Sequence, residues 1–424
     1  MKLLHAFAVV LLLFLMQSCS DFEIDLLETS NPNSIKIGVI LPLTIERGRQ
    51  ESGYFVAVMA AEEINRAGGI NGRNIEIVLK NDGGSTTKGP EEALSLYNDG
   101  VDIILGPAWS SVTMAVSQEV TIPNEMLLIS HSATSPRITA LEDNGLVWRM
   151  APSDALQGKL GADYLYNVLG KKTVGVIYST SIWGTDLAGV FKSTFEELGG
   201  SDSVVSFVSF PEEQDWATYN FTTHLDELFE NKPEAIYIVS FDNDGAKITN
   251  DIYVGDYVGA DYTPLFFSCD GPKSNDFLIN GHPEIIDGMI GTLPTGLISD
   301  ANYTVFIENY KERFGYAPAA YAEHLYDAVY LVAYAMLAAG SELPVDVAAE
   351  LRSVSGGDLD DQGEIINVNE FAEAYSIISN GGTINYNGAS GSIELDANGD
   401  PVSGVYKIWK VVNGDYVIEQ TIIF

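Results

Sequence analysis

Two loops of this sequence are dense in small hydroxyl side chains. Gly106-Pro107-Ala108-Trp109-Ser110-Ser111 follows the apolar run Val101–Leu105, and Ser130-His131-Ser132-Ala133-Thr134-Ser135-Pro136 follows Met126–Ile129. Backbone N–H groups at a helix start, with hydroxyls beside them, suit a carboxylate or a phosphate. Small residues also let the backbone approach a ligand closely. Ser110 fits a plain helix N-cap as well. Two adjacent strand ends offering donors to one point nevertheless favour an anion half-site, with Ser110, Ser111, Ser132, Ala133 and Thr134 as its candidates. A cation half-site needs carboxylates facing it, and Asp154 and Asp270 are the candidates. Asp154 opens a helical pattern after Ala151-Pro152-Ser153, and Asp270 follows the run Pro264–Cys269. Structural roles are open to both, Asp154 as an N-cap and Asp270 as a turn residue before Gly271-Pro272. Trp183, in Ser181-Ile182-Trp183-Gly184, fits either a ligand contact or the core.

Other chemistries find little support. The five histidines His5, His131, His224, His282 and His324 have no metal-binding spacing. No nucleophile elbow or phosphate-binding glycine loop occurs. Asp358-Leu359-Asp360-Asp361-Gln362-Gly363 resembles the start of a calcium loop, but Gln362 takes the fifth position and Asn369 the place of the closing glutamate, so it reads as an acidic surface turn. No catalysis, metal or cofactor is expected. With 22 basic against 59 acidic residues the formal charge is −37. Such an excess repels phosphate backbones, which argues against nucleic acid as a partner.

The elements that must position these residues alternate. Strand patterns at Ile35–Leu41, Ile75–Leu79, Val101–Leu105 and Met126–Ile129 are separated by helical patterns, as in parallel βαβ units. The alternation restarts after Arg149-Met150-Ala151-Pro152, with strands at Thr173–Tyr178, Val204–Phe210 and Ala235–Val239 and a helix near Trp216–Glu230. Met289–Pro294 reads as another crossing, followed by long helices at Tyr303–Phe314 and Ala319–Ala339. The tail from Ser392 reads as a β-hairpin about the turn Asp396–Asp400. A chain of 424 residues accommodates two domains. The expected fold is α/β, with two doubly wound Rossmann-like lobes, a multi-strand hinge and a ligand cleft at the carboxyl ends of strands. The expected divisions are 35–151 for the first lobe, 152–290 for the second, 291–391 returning to the first, and 392–424 as a hairpin packed on the second.

Ahead of this body, Lys2, the apolar run Ala6–Met16, Ser18 and Cys19 read as a signal peptide over residues 1–18. The run is too short to span a bilayer. Met16-Gln17-Ser18-Cys19 resembles the lipobox of bacterial lipoproteins, which implies an acylated Cys19, a tether over 19–34 and attachment to a membrane through lipid alone. Gln17 stands where a small or aliphatic residue is usual. Only Cys269 then remains, so no intramolecular disulfide is available.

Taken in order and spacing, Ile37–Thr44, Ala61–Arg73, Asp82, Gly106-Pro107 with Ser110-Ser111, Ser132-Ala133-Thr134, Ala151–Asp154 and Tyr326–Val329 resemble the type 1 periplasmic binding proteins. Specifically, they resemble the leucine/isoleucine/valine-binding group that serves ABC transporters. The resemblance runs from about Ile35 to the C-terminus. It implies that Ser110 and Thr134 hold a ligand α-carboxylate and that a carbonyl at Ser132 helps hold the ammonium. Asp154, by similarity to metabotropic glutamate receptor domains, lies near that ammonium, Asp270 takes a second-lobe acidic position, and Trp183 closes over the ligand. The implied protein is an extracytoplasmic monomer whose partners are a small ligand, an amino acid or analogue, and an ABC permease. A sensor of the same fold acting on another protein is the alternative, and an enzyme with paired carboxylates the weakest reading. Trp109, where the family commonly has a small residue, and Thr44–Arg49, in place of a glycine-rich loop, reshape the side-chain pocket. Arg47 or Arg49 could meet an acidic side chain, although solvation is the commoner fate of such arginines.

Overall fold

Strands of Ile, Val and Leu without polar alternation suit parallel sheets covered on both faces, and the chain builds two. The computed structural model describes residues 33–43, 51–212, 216, 218–295, 301–356 and 363–423. The expected signal peptide, Cys19, most of the tether, Thr44–Arg49 and Asp358–Gln362 lie outside these residues. The chain divides into Met1–Ser34, of which only Asn33 and Ser34 are described, and the body Ile35–Phe424.

In the body, β1 (Ile35–Leu41), β2 (Ile75–Asn81), β3 (Ile103–Leu105), β4 (Leu127–Ser130) and β5 (Val147–Arg149) form a parallel sheet in the order β2-β1-β3-β4-β5. The helix Glu51–Arg66 and the almost wholly buried helix Ala322–Ala339 cover one face, and Lys88–Asn98 with Ser110–Val116 the other. A helix apolar all round belongs inside a core, and Ala322–Ala339 runs through this one.

The second sheet contains β6 (Val174–Ser179), β7 (Val204–Phe210), β8 (Ala235–Val239), β9 (Leu265–Ser268) and β10 (Ile290–Pro294). A small sheet of β11 (Glu364–Ile366), β12 (Ile384–Gly388) and β13 (Gly391–Ser392) follows in the chain. β14 (Val405–Val412) and β15 (Asp415–Ile423) then complete the second sheet, in the order β15-β14-β10-β9-β8-β6-β7. The fold is α/β, two doubly wound lobes joined by crossing segments.

Three features depart from the sequence reading. β10 pairs with β9 and β14 in the second sheet, so the return to the first lobe starts after Pro294, not at residue 291. The C-terminal hairpin turns at Asn413-Gly414, whose positive φ angles of 52° and 81° suit a tight turn. The Asp396–Asp400 turn instead closes the isolated bridge Leu395–Pro401. The helix near Trp216–Glu230 is confined to Thr222–Phe229.

That displaced turn serves the hinge. Arg149, at the end of β5, is fully buried, and its Nε and Nη2 donate to Asp400 Oδ1 and Oδ2 at 2.6 and 2.7 Å. Nη1 donates to Ser135 O at 2.9 Å and Nη2 also to Thr139 Oγ1 at 2.7 Å. A planar guanidinium forked onto a carboxylate is the strong form of ion pair. Here it ties the crossing after β5 to the crossing before β14.

Candidate functional site

The carboxyl ends of β3 and β4 present the two hydroxyl loops side by side. Gly106 has φ +95°, and a Cβ there would lie 2.3 Å from Ile40 O, so only glycine lets the chain leave β3 this close to β1. Hydroxyls join the loops: Ser130 Oγ donates to Pro107 O at 2.7 Å and Ser132 Oγ to Ala108 O at 2.9 Å. Ser110 is not the N-cap of its helix, since Trp109 holds that place. Its Oγ instead accepts from Thr134 N and Ser135 N, both at 3.2 Å. Ser111 reaches the other lobe, its Oγ accepting from Ile182 N at 3.3 Å.

Asp154 is the first residue of the helix Asp154–Asp163, and Ser153 caps that helix by accepting from Ala155 N. The carboxylate is therefore released from capping. Thr134 Oγ1 donates to Asp154 Oδ2 at 2.8 Å, and Asp154 N donates to Thr134 O at 2.8 Å. Asp154 is completely buried, and Oδ1 has no hydrogen-bond partner. Asp270, after β9, accepts from Gln157 Nε2 on Oδ1 and from Tyr321 Oη on Oδ2, each at 2.8 Å. Tyr321 comes from the returning segment, so this bond crosses between lobes. Its φ of 64° is left-handed, which explains why the helix expected from Ala319 begins only at Ala322.

Burial, then the charge of Asp270, holds the Asp154 carboxyl well above the ordinary carboxylate range, against the Thr134 hydrogen bond. Burial likewise raises Asp270, while hydrogen bonds from Tyr321 and Gln157 oppose the rise. The charge of Arg149 also opposes the rise at Asp154, but its fork is committed to Asp400. Two buried carboxylates and an unpartnered oxygen make a place for a cation. The neighbouring Ser110 and Thr134 loops supply the polar groups for an anion. A zwitterion combines the two.

Trp183 is buried and stacks on Phe241, ring centroids 4.7 Å apart, and Phe241 stacks on Trp109 of the first lobe at 5.2 Å. A Cβ on Gly271 would lie 2.6 Å from the Trp183 ring, and one on Gly84 would lie 2.1 Å from the Trp109 ring. The structure thus links Ser110, Thr134 and Asp154 through hydrogen bonds, while Ser132 is bonded to Ala108 O and Ala133 is buried in the core of the first lobe. It sets Asp270 beside Asp154, and places Ser111 and Trp183 in contacts that bridge or line the lobe boundary. Asp242 is taken up locally, accepting from Asn243 N at 3.0 Å and Ser274 Oγ at 3.2 Å. Sequence reasoning missed Gln157, Phe241 and Tyr321. Phe241 had a usable signal, because it follows a strand end, whereas nothing in the residue type announces the left-handed backbone of Tyr321.

Comparison with known proteins agrees with this architecture. A family described as periplasmic binding protein matches residues 34–367. A Leu/Ile/Val-binding protein homolog 1 of Brucella suis is 27% identical over 70% of this chain and 76% of its own. A chemotactic signal transduction system substrate-binding protein, BasB, of Halobacterium salinarum is 28% identical over 87% of this chain and 85% of its own. The leucine binding protein LivK of Thermotoga maritima superimposes with a TM-score of 0.73, at 24% identity, over 92% of this chain and 98% of that one. With two doubly wound lobes, paired carboxylates and hydroxyl loops at the strand ends between them, the chain belongs to the type 1 periplasmic binding proteins and is similar to their leucine/isoleucine/valine-binding members.

Proposed function

We propose that this protein captures an α-amino acid in its cleft, without turnover, and hands it to an ABC permease while anchored to a membrane through an acylated Cys19. The observation that carries the reading is Asp154 Oδ1, buried without a partner beside Asp270 and one hydrogen bond from Thr134. An α-ammonium placed there neutralises carboxylates that otherwise repel each other, and the α-carboxylate meets the hydroxyls of Ser110, whose oxygen only accepts in the free site, and of Thr134, which turns to it from Asp154. Neither ligand charge is then buried unpaired. Trp183 and Asp270, carried by the second lobe, complete the site only on closure.

A thermal-shift screen of the protein against the amino acids tests this. A ligand at a hundred times its Kd adds about 2.7 kcal/mol of stability. One amino-acid class should raise the melting temperature of the parent, and Asp270→Ala and Thr134→Ala should lose the shift. A screen in which no α-amino acid shifts the parent would sink the ligand reading. For the anchor, Cys19→Ser should move the protein from the membrane to the soluble fraction, and mass spectrometry of the parent should find the acyl chains.

The chemotactic relative supports a second reading, in which the closed form reports the ligand to a signalling partner. Ligand uptake that survives deletion of the gene, combined with loss of a behavioural response, would favour it.

A further inference from the structure

The two segments that supply hydrogen-bond donors to the carboxylates also wall a neighbouring cavity. His131 lies in the same loop as Thr134, and Ala319, Ala320 and Ala322 flank Tyr321. With Leu41, Ser52 and Gly53 these residues line a cavity of about 20 Å3. Most of the wall is apolar and small, and it carries two polar side chains. Ser52 Oγ is occupied, accepting from Ala319 N at 3.2 Å. His131 is 7% exposed, and its Nδ1 has no hydrogen-bond partner. A buried ring nitrogen left unpaired is costly unless a ligand or water completes it.

We infer that this cavity is the side-chain subsite of the bound amino acid, and that through His131 it selects a short side chain ending in a hydroxyl, of the serine and threonine class. The inference rests on the amino-acid reading of the cleft. A space of this size holds about one water molecule, which takes one small terminal group such as a hydroxyl, with the rest of a short side chain at its mouth, and leaves no room for an isobutyl chain. Burial and the neighbouring His324 push His131 down to about 3, so the ring is neutral. A neutral imidazole serves a hydroxyl as donor or acceptor and offers no charge to a second carboxylate. Valine and threonine have nearly the same shape, so shape alone does not separate them. A site built to hydrogen-bond a substrate hydroxyl does reject the analogue that lacks it.

Isothermal titration calorimetry on the full chain in mild detergent tests the subsite with L-threonine, L-serine, L-valine and L-leucine. Threonine should bind at least about tenfold tighter than valine, and serine tighter than leucine. In His131→Leu the threonine-to-valine ratio should fall towards one, with the melting temperature of the variant checking that it folds. Valine or leucine binding as tightly as threonine overturns the subsite and leaves the amino-acid reading standing, and the parent alone decides this. An undiminished ratio in a folded His131→Leu protein also overturns the role of His131. If none of the four ligands binds, and no other α-amino acid does, both readings fall together.

Discussion

A carboxylate taken out of water and set beside another is easier to protonate, because the proton removes both the solvation cost and the repulsion. Asp154 and Asp270 are such a pair, and binding an ammonium favours their charged forms. Ligand binding should therefore expel protons, and affinity should rise with pH from about 4 upward until the pair is ionised in the free protein. Calorimetry in two buffers of different ionisation enthalpy would measure the protons released. A pH-independent affinity would contradict the pairing. Asp82 offers a stability counterpart. It is buried, accepts from Gly84 N at 2.8 Å, and burial pushes its carboxyl up to about 6. Because the folded value exceeds the usual 3.8, folding favours the protonated form, and stability is lost as pH rises between about 4 and 6, by up to about 3 kcal/mol. Asp82→Asn keeps the acceptor for Gly84 and should melt higher than the parent at pH 8, with the advantage gone near pH 4. At this scale the hydroxyl loops were legible because two strand ends carried the same chemistry. Gln157 was not, since a glutamine inside a helical pattern carries no mark of the aspartate it serves far along the chain.

Elements of the fold were legible where the apolar run was long. β1, β7 and β8 have the boundaries that their composition suggests, whereas β5, at three residues, is too short to register as periodicity. The tail misled for a physical reason: Asp396-Ala397-Asn398-Gly399-Asp400 has turn chemistry, but the turn it makes presents Asp400 to Arg149 instead of reversing a hairpin. Removing one partner of a buried pair leaves an uncompensated charge, which costs about 3–5 kcal/mol. Asp400→Ala should lower the midpoint of urea unfolding accordingly, while Asp415→Ala, in the exposed edge strand β15, should leave it within about 0.5 kcal/mol of the parent.

Across the whole molecule the lobes are held in a closed arrangement by Ser111 Oγ with Ile182 N, by Arg137 Nη2 with Asp186 Oδ1 at 2.8 Å, by Tyr321 with Asp270, and by the Trp109–Phe241 stack. The exposed ion pair adds little, so the aromatic stack is the contact to remove. Trp109→Ala should shift the population towards open. If the closed fraction falls tenfold, apparent Kd rises tenfold. Small-angle scattering should then show a larger radius of gyration for the variant without ligand, converging on the parent at saturation. A variant with unchanged affinity would show that the stack merely follows closure.

The buried fork from Arg149 to Asp400 joins residues 251 positions apart. The core helix of the first lobe, Ala322–Ala339, is made after most of the second lobe, and the second sheet still lacks β14 until Val412. A chain delivered amino end first, from a ribosome or through a secretion channel, thus cannot finish either lobe until its last few dozen residues arrive. It stays threadable for nearly its whole length, and both lobes then become able to fold almost together.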